Sequence, residues 1–79
     1  MKARVIVTLK PGVLDPQGKA IEGALQSLGV AGVASVRQGK VFEIEIKDAD
    51  KSKAEQIVKT AAEKLLVNLV IENYRIELP

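Results

Sequence analysis

Val33-Ala34-Ser35-Val36-Arg37-Gln38-Gly39-Lys40-Val41-Phe42-Glu43-Ile44-Glu45-Ile46-Lys47 is the stretch on which the fold turns. Phe42, Ile44 and Ile46 alternate with Val41, Glu43, Glu45 and Lys47, the period-two pattern of a strand with one wet face. Val33 to Gln38 reads as a second extended run. Gly39-Lys40 between them reads as a tight turn, so the two runs are expected to form a hairpin.

Working outward, residues 2–10 also alternate. Ala3, Val5, Val7 and Leu9 share one face, with Arg4, Ile6, Thr8 and Lys10 on the other. Pro11-Gly12 ends that strand. Asp15-Pro16 reads as a helix start. A carboxylate caps an orphan N–H, and proline loses nothing at the first helical position. Ala20, Ile21, Ala24, Leu25 and Leu28 form an apolar stripe, and Gly29 suits a left-handed cap. Gly23, inside the helix, reads as a point of close backbone approach. Beyond the hairpin, Asp48-Ala49-Asp50-Lys51-Ser52 opens a second helix, with a Ser52–Glu55 capping box and Asp50 as a competing cap. Ala54, Ile57, Val58, Ala61, Ala62, Leu65 and Leu66 form its apolar face. Asn68 is expected to stop it in the left-handed conformation, and Val70 to Leu78 is the last strand. The order is β-α-β-β-α-β. Right-handed crossovers then give an α+β, ferredoxin-like sandwich: a four-stranded antiparallel sheet with two helices on one face.

Composition narrows the chemistry. The chain has 79 residues and contains no Cys, His or Trp. Thiol nucleophiles, Ser–His pairs and zinc sites built on Cys or His are excluded. No metal site and no catalytic residue is expected. There is no phosphate-binding loop, and Gly29-Val30-Ala31-Gly32 does not complete a dinucleotide fingerprint. Phe42 and Tyr74 are the only aromatics and the net charge is +2, so nucleic acid is not an expected partner. No stretch has transmembrane length and the N-terminus does not read as a signal peptide, so the chain reads as cytoplasmic. A single domain this small buries only roughly 60–65% of its unfolded surface. Without disulfides or metal, self-association is the remaining way to enlarge the core. The sheet face away from the helices is expected to carry Arg4, Ile6, Val41, Glu43, Glu45, Ile71 and Arg75. Its mixed charges suit a homo-oligomer, dimer or tetramer.

Three segments are left over: Asp15-Pro16-Gln17-Gly18, Val36-Arg37-Gln38-Gly39-Lys40 and Asn68-Leu69-Val70-Ile71-Glu72. With Gly12 to Ala20 and Leu65-Leu66, they make the whole chain resemble the PurS family, the small subunit of phosphoribosylformylglycinamidine (FGAM) synthase. One departure stands out: the family usually has proline where this chain has Leu69. The resemblance implies a PurS-like single domain over 1–79 and a non-catalytic assembly subunit of a purine-biosynthetic ligase. In such a complex a large synthetase subunit carries ATP and magnesium, and a glutaminase subunit releases ammonia. The small subunit bridges the two and aids ammonia transfer, with no cofactor of its own. Asp15, Gln17, Gly18, Arg37, Gly39, Lys40, Asn68 and Glu72 are the expected partner contacts. The alternative is an ACT-like module that senses a small ligand, which shares the element order. The spacing of its turn motif is not met by Asp15-Pro16-Gln17-Gly18.

Overall fold

The structure, a computed structural model, describes residues 1–47 and 50–79. Asp48 and Ala49, expected at the opening of the second helix, lie outside the described residues. The chain runs β1 (Lys2–Leu9), α1 (Pro16–Ser27), β2 (Gly39–Glu45), α2 (Lys51–Ala61), a π-helical turn (Ala62–Leu66) and β3 (Glu72–Glu77). The sheet order is β2-β1-β3 and both pairings are antiparallel.

The α+β class and the antiparallel sheet hold, but among the described residues the sheet has three strands rather than four. Val33 to Gln38 is not a strand. Gly39 and Lys40 are not a turn; they begin β2, opposite Thr8 and Val7. The hairpin is therefore replaced by a long-range pairing of β2 with β1. Glycine at 39 explains the choice. A Cβ there would collide with the carbonyl oxygen of Val7, so only glycine lets the strands close at this end. Two of the backbone N–H groups in residues 33–38 are taken by side chains instead. The Val36 N–H donates to the Glu22 carboxylate at 2.8 Å and the Gln38 N–H to Asp15 at 2.7 Å.

The core lies between the sheet and α2. Ala3, Val5 and Val7 of β1 and Ile46 bury against Ala54, Val58, Ala62 and Val67. Small alanines on this face bring the helix axis close to the strands, and α2 lies over β1 and β3. Phe42 and Ile44 of β2 are only partly buried. In the expected sandwich α1 would cover them, but α1 does not lie on the sheet. Its apolar side chains are left open: Ile21 is exposed and Leu28 is 78% exposed, as are Val30 and Val33 beyond it. Gly23 faces open space rather than another backbone. The radius of gyration is 15.9 Å, against about 12 Å for a compact fold of this length. The long dimension is 48 Å.

The helix ends also refine the reading. Asp50, not Ser52, caps α2, accepting the Ser52 N–H at 2.9 Å. Gly29 is left-handed as expected, with φ +79. Asn68 is not, since the described residues with positive φ are all glycines. The helix unwinds instead through the π turn, in which the Val67 N–H reaches the Ala62 carbonyl at 2.9 Å. Val67 is then already extended.

Candidate functional site: a polar pocket at one end of the sheet

The three leftover segments, far apart in sequence, meet at the end of the sheet where β1 finishes and β2 and β3 begin. Asp15 is the hub. It is 5% exposed. One carboxylate oxygen accepts the Gly18 N–H at 2.9 Å and caps α1; the other accepts the Gln38 N–H at 2.7 Å and ties down the entry to β2. The Gly18 and Gln38 N–H groups hold its pKa below the ordinary 3.8, with the nearby Arg37 charge adding in the same direction. Gly18 is buried here. A Cβ on it would meet the Val36 carbonyl oxygen and the Asp15 carboxylate.

Arg37 is committed inside the chain. Its guanidinium donates to the carbonyls of Val13 at 3.0 Å, Lys10 at 3.2 Å and Leu9 at 3.5 Å. It thereby ties the Pro11-Gly12 turn to the arm, the irregular residues 28–38 that return from α1. Lys40 reaches across β1 to Glu72, 3.6 Å away, and lies 5.6 Å from the centre of the Phe42 ring. Glu72 uses its other oxygen to accept the Asn68 N–H at 2.7 Å. Asn68 organises the turn into β3: its side chain accepts the Val70 N–H and its carbonyl accepts those of Ile71 and Glu72. The result is a pocket of about 230 Å³ floored by the end of β1. Its wall is formed by Asp15, Gln17, Gln38, Gly39, Lys40 and Glu72.

The structure therefore gathers all eight expected contact residues into one region, in different jobs. Asp15, Gly18, Arg37 and Gly39 build it, and Gln17 and Gln38 line it with exposed side chains. Glu22 was not foreseen. Its carboxylate holds Val36 and pairs with Lys19 at 3.6 Å. Its partner lies fourteen residues on in an irregular segment, so no periodicity could announce it.

The candidate association residues other than Ile71 fall on the opposite, outer sheet face. Strand register sets Glu43, Arg4 and Glu77 in one row and Val41, Ile6 and Arg75 in the next. Arg4 and Arg75 both turn to Glu77, at 3.7 Å and 3.5 Å. Glu45 lies at the strand end, 3.7 Å from the N-terminal amine. Ile71 lies in the turn before β3, off the sheet face. Among the described residues no cluster of three carboxylates could hold a metal, and no helix is long and apolar enough to cross a membrane.

The family model described as PurS, phosphoribosylformylglycinamidine (FGAM) synthase, matches residues 2–79. The chain belongs to the PurS family. It is 51% identical to the PurS subunit of phosphoribosylformylglycinamidine synthase from Mycobacterium leprae, over 95% of this chain and 91% of that one. Its fold matches Bacillus subtilis PurS with a TM-score of 0.83 at 47% identity, covering 96% of this chain and 94% of that one. It also matches a chain in the structure of PurLQS from Thermotoga maritima. There the TM-score is 0.90 at 38% identity, and the cover is 96% of this chain and 93% of the other. These three relatives match the chain over nearly their full length, and α1 and the segment after it fall inside the matched span.

Proposed function

We propose that this chain is a non-catalytic assembly subunit of an FGAM synthase complex in purine biosynthesis. In this reading it bridges a large synthetase subunit, which carries ATP and magnesium, and a glutaminase subunit, and it aids passage of ammonia between them. It acts in the cytoplasm and holds no cofactor itself. The observation that carries the reading is the convergence of the three PurS-like segments on one pocketed end of the sheet, in a chain matched over its length by PurS subunits. A PurS chain also occurs in the PurLQS structure. The family match supplies no support for the ligand-sensing alternative.

The working form in this proposal is a homo-oligomer. The geometry supporting it is a pair of complementary deficits. Among the described residues the apolar face of α1 is left exposed, and no helix packs over the β2 half of the inner sheet face, at the partly buried Phe42 and Ile44. A second copy relieves both deficits at once if each α1 lies on the other's sheet, a reciprocal, two-fold exchange. The mixed charges of the outer face leave it available for a further pairing into tetramers.

The test is reconstitution. The chain is mixed with matching synthetase and glutaminase subunits, with ATP–magnesium and glutamine, and complex formation and glutamine-dependent turnover are followed. The proposal expects a ternary complex and turnover that needs this chain. Full glutamine-dependent turnover without it would overturn the assembly role.

A further inference from the structure

The sequence segments at the pocket are conspicuous, yet most of their residues have an internal purpose. Asp15 is satisfied on both oxygens, Arg37 is spent on three carbonyls, and Gly18 and Gly39 are required by close backbone approach. What remains is Gln17 and Gln38. Both line the pocket, both side chains are exposed, and neither carboxamide has a hydrogen-bond partner among the described residues. Their backbones are nonetheless fixed. Gln17 sits in the first turn of α1, and the Gln38 N–H is clamped by Asp15.

We propose that the pocket is a socket for an extended loop of a partner protein, gripped by the Gln17 and Gln38 carboxamides, with Asp15 and Arg37 as positioning residues. This rests on the assembly reading above and specifies its contact. Each carboxamide offers both a donor and an acceptor, the complement of a peptide group, so two of them lining one cleft suit main chain. Size agrees. Small-molecule sites occupy roughly 300–1,000 Å³, and this pocket is about 230 Å³, room for a residue or two of a loop. Lys40 is already neutralised by Glu72, which disfavours a free anion as the occupant. A second copy of this chain is the wrong guest: the surfaces that need a second copy are the apolar ones on α1 and over β2, whereas the pocket wall is polar.

The experiment measures binding of Gln17→Ala, Gln38→Ala and the double variant to the matching synthetase and glutaminase subunits. Melting temperature and mass in solution are read alongside. Each single change is expected to weaken binding about 2- to 10-fold and the double change more, with melting and oligomeric mass unchanged. If the unaltered chain binds neither subunit, the assembly reading itself fails. If the unaltered chain binds and the double variant binds equally well, the socket is wrong while the assembly reading stands. A double variant that loses oligomeric mass instead would give the pocket to the contact between copies and overturn the proposal.

Discussion

Asp15 concentrates the consequences at the residue scale, because one carboxylate closes both the helix start and the root of the arm. Its folded pKa is depressed. The stability it contributes is therefore fully present above the unfolded value and is lost as pH falls through the folded one. A melting series from pH 7 downward is expected to fall below about pH 4, and Asp15→Asn is expected to melt lower at pH 7 with a flatter acid limb. Equal pH profiles for the two proteins would remove Asp15 from this role. Gly18 gives a steric counterpart. With the Val36 carbonyl and the Asp15 carboxylate where a methyl would go, Gly18→Ala is expected to cost about 1–3 kcal/mol in urea unfolding. Glycine at 23, with nothing nearby, carries no such penalty.

Among the elements, the turn into β3 bears on Leu69, the position where the resemblance leads one to expect proline. The Ile71 N–H donates to the Asn68 carbonyl at 3.1 Å, so residues 68–71 form a β-turn with Leu69 at its second position. Proline is favoured there because its ring presets φ. No hydrogen bond from the Leu69 N–H is formed among the described residues, so proline sacrifices nothing. Leu69→Pro is expected to stabilise by about 0.4–1 kcal/mol, chiefly by restricting the unfolded chain, as chemical denaturation can check. Local pattern made most elements legible. Alternation marked β1 and β2, Asp15-Pro16 marked the start of α1, and Gly29 marked its end. Pairing was less legible. Val33 to Gln38 has a strand-like composition, and nothing local says that the Glu22 and Asp15 carboxylates will take N–H groups from it instead. The end of α2 was misread for a similar reason, since Asn68 works through its side-chain oxygen rather than through a left-handed backbone.

For the whole molecule, the pocketed end of the sheet was legible as a set of residues, while their division of labour needed three dimensions. Arg37 reads in sequence as a partner contact and in space as a staple. The proposed pairing of copies makes its own forecast. Leu28 is exposed at the C-terminal end of α1, where a cation is compatible with the helix dipole, so Leu28→Lys is expected to leave the single chain folded. Sedimentation or light scattering is expected to show the variant shifted to lower mass at micromolar concentration; an unchanged mass would place the contact elsewhere. The uncovered face of α1 has a kinetic counterpart as well. The sheet and α2 can assemble within one chain at a rate indifferent to dilution, but α1 would find its cover only by encounter. Refolding would then show two phases, an early first-order one and a late one whose half-time lengthens in proportion to dilution.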